Sequence, residues 1–172
     1  GAAEFARTVA EMVGVPLLVD ADGLNAHAGR LELFRSRAAA TVLTPHEGEL
    51  ARLLELEATE VKAHRLAYVR DAAERSRAVV LLKGDDTIVA AADGPAAISP
   101  GATPALATAG TGDVLSGLIG ALLAKGLGAF EAAALGALAH ALAGRAAADR
   151  YGADHVVAGD VIDALPYGLT LR

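Results

Sequence analysis

The stretch that most constrains this chain is Thr108 to Lys125, TAGTGDVLSGLIGALLAK. Small or glycine positions at Ala109, Gly110 and Gly112 precede an apolar run from Val114 to Leu123, which predicts a tight turn feeding directly into a buried helix. The first amides of a helix have no partner within it. Together with the aligned peptide dipoles they make a seat for an anion, and glycine lets a phosphate approach the backbone closely. Asp113 stands at the mouth of that seat. Its carboxylate is placed to accept a proton from a hydroxyl brought up beside a phosphate; the alternative is a helix-capping Asp with no chemistry.

A buried helix needs a layer to pack on. Hydrophobic residues make up 53% of the 172 positions but aromatic ones only 3%, so the core is built from Ala, Val, Leu and Ile in close-packed layers. That favours helices on a sheet, in one domain spanning residues 1–172. The net charge of −6, with no long basic run, argues against nucleic acid as a partner. A phosphorylated metabolite needs no net positive charge, since backbone amides, one lysine and a divalent cation can hold it. The chain has no cysteine, which excludes disulfides and thiolate chemistry and makes the cytoplasm the default compartment. The opening GAAEFARTVAEMV lacks a basic region followed by an apolar core and does not read as a secretory signal. Ala129 to Ala148 is interrupted by Glu131, His140 and Arg145, so it reads as a buried helix and no membrane is expected as a partner.

Three short apolar runs, Pro16 to Val19, Thr41 to Leu43 and Ala78 to Leu82, predict buried parallel strands. Each delivers polar residues to its carboxyl end. After the first come Asp20 and Asp22, which either contact a ligand or a water-bound Mg²⁺, or form an Asx turn capping the next helix. After the second come His46 and Glu49, about one turn apart at the head of a helix running through Leu56. They cap that helix, or they touch a ligand and order a metal's waters. The third runs into Lys83-Gly84-Asp85-Asp86-Thr87, a hairpin-like turn before a strand over Ile88 to Ala91. A lysine there suits a nucleotide phosphate or an adenine edge, although surface turns with Lys and Gly are common. If the strands are parallel neighbours, these groups share one crevice with Thr108 to Asp113.

The remaining segments read more simply. Glu4 to Val13 is a helix, and Thr59 to Ser76 is a solvated amphipathic helix without chemistry. Ala96 to Ser99 is an edge strand, and 101–106 an irregular loop. Phe130 to Arg150 is a long helix, apolar on nearly every side, which buries against the sheet or against another subunit and points to a homo-oligomer. His140 within it reads as a packed core or interface histidine. A short helix over Val161 to Leu165 ends at Pro166.

The strings VDADGLN, LTPHEGEL, LLKGDDT and ATAGTGDVLSGLIGALLAKG resemble, in this order and spacing, the ATP- or ADP-dependent NAD(P)H-hydrate dehydratases, a branch of the ribokinase-like superfamily. The similarity runs from about Val15 to Pro166. Ribokinase relatives share GxGD but usually carry Asn where His46 stands. The resemblance implies a ribokinase-like three-layer α/β/α fold with a mainly parallel central sheet. Nothing in residues 1–14 matches the glycine-rich segment with which members begin, which implies a chain lacking the N-terminal part of the family domain.

The implied activity is repair of hydrated NADH or NADPH, in which ADP or ATP, assisted by Mg²⁺, transiently phosphorylates the ring hydroxyl before its elimination. The resemblance makes Asp113 the base and a substrate contact, and sets Thr111 and Gly112 at the nucleotide phosphates. Lys83, Gly84, Asp85, Asp86 and Thr87 would line the nucleotide. His46, Asp22 and Asn25 would contact the hydrate, and Glu49 would help place the metal through water. The alternatives are a ribokinase-like kinase of a small hydroxylated metabolite, or a nucleotide-binding module without catalysis.

Overall fold

Strict alternation along short strands decides where each layer of this molecule goes. The computed structural model describes residues 1–99 and 103–170. Five strands, β1 (Leu17–Val19), β2 (Thr41–Leu43), β3 (Val79–Leu82), β4 (Thr87–Ala90) and β5 (Ala96–Ser99), form one sheet in sequence order. β1, β2 and β3 run parallel, while β4 and β5 return antiparallel, so the sheet is mixed. The turn after Leu82 makes this switch, since a hairpin can connect only antiparallel neighbours.

Val19, Leu43, Val80, Leu82 and Ile88 face one way, into a core shared with α1 (Ala2–Met12), α2 (Asp22–Asn25), α3 (Glu47–Leu54), α4 (Ala58–Ala63) and α5 (Arg65–Ser76). Val42, Val79, Leu81 and Val89 face the other way, onto α6 (Thr111–Ala124) and α7 (Ala129–Tyr151). Side chains that alternate in this way bury both faces of the sheet and give a three-layer α/β/α sandwich. Leu43, Val80, Leu81 and Leu82 lose all contact with solvent, each contributing roughly 1.5–3 kcal/mol over an exposed position. A smaller apolar cluster, with Val114, Ala143, Val156 and Val161, packs α8 (Ala158–Leu169) against α6 and α7.

Three local readings change. The single amphipathic helix expected over Thr59 to Ser76 is broken at His64, whose backbone leaves the helical region (φ −133°, ψ 42°), giving α4 and α5. Pro166 does not end the last helix but lies inside α8, which continues to Leu169. The irregular loop expected over 101–106 becomes, from Pro104 to Ala107, a 3₁₀ turn capped by the Thr103 hydroxyl. Gly101 and Ala102 lie outside the described residues. The chain between Ala26 and Arg37, unassigned from sequence, carries a 3₁₀ helix over Leu31–Ser36 whose Leu31 and Phe34 are buried.

Candidate functional site

The amino end of α6 is built as the sequence predicts. Gly110, its N-cap, takes φ 88°, a left-handed conformation that glycine adopts without steric cost. The Thr111 hydroxyl donates to the Leu106 carbonyl at 2.6 Å and lies 2.8 Å from the Thr108 carbonyl, pinning the turn to the preceding 3₁₀ segment. The Thr111 and Val114 amides are taken up by the carbonyls of Thr108 and Gly110. Those of Gly112 and Asp113 have no acceptor among the described residues. They are the free donors an anion seat requires.

Across from them stands the turn after β3. A Cβ placed on Gly112 would sit 3.9 Å from Lys83 Nζ, so the ammonium and the helix end face the same volume. That volume is a pocket of about 240 Å³, bounded by Lys83, Gly84, Asp85 and Thr87 on one side, by Thr103, Pro104, Leu106 and Ala107 on another, and by Thr111, Gly112, Leu115 and His140. Six of the seven expected nucleotide residues therefore meet at one pocket. Asp86 is the exception: its carbonyl accepts from Arg65 Nη2 at 2.9 Å.

The floor beside the pocket is an ionic network centred on Asp20. Its Oδ1 accepts from Lys83 Nζ at 2.7 Å and from the Ala21 amide at 2.9 Å, and its Oδ2 accepts from the Ser116 hydroxyl of α6 at 2.7 Å. Burial alone pushes this carboxyl upward. The bonds from Lys83 and Ser116, the lysine charge and the Ala21 amide outweigh burial and hold it below its ordinary value. Ala21 occupies φ 50°, ψ −119°, a costly conformation for a residue with a Cβ, at the carboxyl end of a parallel strand where ligands gather.

Glu49 extends the network, with Oε2 at 3.8 Å from Lys83 Nζ. The same carboxylate accepts the His46 amide at 2.9 Å, while His46 Nδ1 accepts from the amides of Gly48 and Glu49. Because Nδ1 is an acceptor, a neutral His46 ring carries its proton on Nε2, 3.4 Å from Glu49 Oε1. Both residues thus form a reciprocal cap on α3, and Glu49 still lies beside the lysine. Asp22 and Asn25 are exposed on α2 and outside the pocket. Asn25 Oδ1 accepts from Arg52 Nη1 at 2.8 Å, and Asn25 Nδ2 reaches Asp22 at 3.5 Å.

Asp113 is exposed, does not line the pocket, and has no partner among the described residues. It follows Gly112 directly. Two contributors, Ser116 and Arg65, lay outside the sequence reading, and a third, His140, was read only as a packed histidine. Ser116 sits in a run read as apolar. Arg65 of α5 donates to the carbonyls of Lys83 and Asp86 and pairs with Glu47 at 3.2 Å. His140, expected in a core or interface, forms part of the pocket wall. It is only 7% exposed, with Nε2 unpartnered, and burial lowers its pKa against the opposing pull of the Thr111 backbone. Among the described residues, no three His, Asp or Glu side chains gather as a cation site, and no helix is long and apolar enough to cross a membrane.

A family profile described as NAD(P)H-hydrate dehydratase matches residues 3–167. The bifunctional NAD(P)H-hydrate repair enzyme of Moorella thermoacetica is 43% identical over 166 residues, covering 96% of this chain and 31% of its own length. The chain thus spans about a third of that relative. The ADP/ATP-dependent NAD(P)H-hydrate dehydratase of Bacillus subtilis, co-crystallised with ATP and Mg²⁺, superposes with a TM-score of 0.83 at 30% identity, over 92% of this chain and 55% of that one. A ribokinase-like superfamily protein of Enterococcus faecalis has the same fold, with a TM-score of 0.69 at 21% identity, over 96% of this chain and 66% of its own. The profile and the relatives point the same way, and this chain belongs to the NAD(P)H-hydrate dehydratase family.

Proposed function

We propose that this chain carries out the adenine-nucleotide-dependent dehydration of hydrated NADH or NADPH. The observation that carries the reading is the meeting of two unbonded amides, Gly112 and Asp113, with the Lys83 ammonium at one pocket. Phosphoryl transfer is largely positioning and charge neutralisation, and amides, an ammonium and one carboxylate supply both. The amides and Lys83 hold the terminal phosphates of ADP or ATP. Asp113, exposed and unpartnered, takes the proton of the ring hydroxyl as its oxygen bonds to phosphorus and the P–O bond to the nucleotide breaks. The phosphorylated oxygen then leaves as inorganic phosphate, and loss of a ring proton restores the reduced nicotinamide.

His46, Asp22 and Asn25 border the hydrate in this reading, Asn25 held by the Arg52 contact that ties α2 to α3. With no three-residue cation cluster among the described residues, Mg²⁺ would be held mainly by phosphate oxygens and water, with Glu49 helping to hold it through water. It would neutralise charge on the phosphates. Residues 1–172 act as one domain in this reading. Cytoplasmic placement and association into a homo-oligomer belong to it too, the latter supported by apolar surface at Ile98 (54% exposed) and Leu138 (37% exposed) along β5 and α7.

The test is incubation of the chain with NADH hydrate, Mg²⁺ and ADP or ATP. The expected result is return of the reduced nicotinamide's near-ultraviolet absorbance with release of phosphate. A stable phosphorylated product of a small metabolite, and no recovery of absorbance with either nucleotide, would replace this reading with a kinase.

A further inference from the structure

Resting on the nucleotide reading of the pocket, we propose that Asp20 is a positioning residue: it holds the Lys83 ammonium against the Gly112 end of α6, with Ser116 fixing its carboxylate. It takes no proton in the reaction.

A lysine side chain has a flexible four-carbon stem, and left alone its ammonium is spread over many rotamers. Here the ammonium has a defined place. It donates to Asp20 Oδ1 at 2.7 Å, has Glu49 Oε2 at 3.8 Å, and lies beside Gly112. The side chains of Lys83 and Asp20 are only 23% and 14% exposed, so solvent screens this pair weakly. The anchor is itself anchored. Asp20 Oδ2 accepts from Ser116, which sits on the same helix whose first turn forms the phosphate seat. The carboxyl end of β1, the turn after β3 and the amino end of α6 are thereby fixed to one another through a single carboxylate.

The same saturation separates the roles of the two acids. Asp20 accepts three donors, from Lys83, Ala21 and Ser116, and each favours its ionised form. To serve as a base it would have to give up a bond that holds the lysine. Asp113 accepts none among the described residues. Paired carboxylates in contrasting surroundings take contrasting tasks.

The test is a double-mutant cycle read by calorimetric titration of Mg²⁺-ADP into the wild-type chain, Asp20→Asn, Lys83→Met and the double variant. Asp20→Asn should weaken ADP at least about tenfold, the size of one charge-assisted hydrogen bond. The double variant should bind no more weakly than Lys83→Met alone, because Asp20 acts through the lysine. Losses that simply add, or an Asp20→Asn chain within twofold of wild type, overturn the proposal. If Asp20→Asn does not fold, Ser116→Ala with Lys83→Met runs the same cycle, with a smaller first loss and the same two overturning results. In turnover, Asp20→Asn should keep the shape of the wild-type pH profile of kcat; loss of its acidic limb would make Asp20 the proton acceptor and overturn the assignment. A wild-type chain that binds no Mg²⁺-ADP is a different failure, removing the nucleotide reading itself.

Discussion

Lys83 Nζ stands 2.7 Å from Asp20 Oδ1, although 63 positions separate the two residues in the chain. The contact follows from topology. β1 and β3 flank β2 and all three run parallel, so the residues that end β1 and β3 emerge at one edge of the sheet, two strand spacings apart. A long lysine side chain spans that distance where a shorter cation would not. With Ser116 reaching Asp20 from α6, the sheet edge and the helix end become one rigid corner.

Asp113 is the first place to strike the chemistry without the fold. Its side chain is exposed and unpartnered, so Asp113→Asn should shift the denaturant midpoint little. Removal of a general base costs about 10²–10⁴-fold in turnover. We expect kcat for NADH-hydrate dehydration to fall by that factor while ADP affinity stays within a few-fold, as read by initial rates and calorimetry. Undiminished turnover removes Asp113 from the mechanism.

Gly112 separates space for the ligand from space for the fold. A Cβ there would meet only Lys83 Nζ, at 3.9 Å, which is ordinary contact, so Gly112→Val should leave thermal unfolding nearly unchanged. Its methyls would occupy the volume a phosphate needs at the free amides. ADP affinity should drop more than about tenfold, as expected when charge-assisted bonds to an anion are lost. Equal ADP binding by the two proteins would place the phosphates elsewhere.

How much of this was legible in the sequence depends on whether a residue acts near its own place in the chain. The three parallel strands, the glycine turn and the pocket residues from Lys83 to Gly112 were legible because short apolar runs and punctuation residues report local structure directly. Ser116 and Arg65 were not singled out, and neither the partners of Asp20 nor the place of the buried His140 in the pocket wall was legible, for one shared reason. Each contributes through a contact that only tertiary folding creates: Asp20 with Lys83, Ser116 with Asp20, Arg65 with carbonyls 18 and 21 positions away, and His140 through the pocket wall. A lone Ser inside GTGDVLSG carries no local signal, whereas the unusual backbone of Ala21 explains why the DAD string is more than an Asx turn.

Stability should fall in steps as the solution is acidified. His140 is buried with its folded pKa below its ordinary 6.5, so above that pH both folded and unfolded chains hold it neutral. Below it the unfolded chain binds a proton that the folded one resists, and stability is lost as pH falls through the folded value. His27, lowered by burial against the Gly23 carbonyl and further by Arg7, acts in the same direction. Asp20, held below 3.8, adds its own loss only under 3.8. Urea midpoints taken across this range should therefore decline first below 6.5, and His140→Gln should flatten that first decline. A variant with the same slope as wild type would show that His140 does not resist protonation in the fold.

Arg65 offers a test of whether the nucleotide turn must be held from behind. Its guanidinium donates to the Lys83 carbonyl at 3.3 Å and to the Asp86 carbonyl at 2.9 Å, while Nε pairs with Glu47 on the first turn of α3. Hydrogen bonds from a charged donor contribute about 1.5–3 kcal/mol when buried, and less where water can replace them. Arg65→Ala removes these bonds and also the guanidinium that packs against Gly84. We expect a loss of about 1–2 kcal/mol in unfolding free energy, together with weaker ADP binding, because Lys83 to Thr87 would no longer be held in one conformation. Arg65→Lys restores the charge but not the planar group whose Nη2 reaches both carbonyls while Nε faces Glu47, so it should recover part of the stability and little of the affinity. Full recovery of ADP affinity in Arg65→Lys would mean that charge alone, and not the shape of the turn, is what Arg65 supplies.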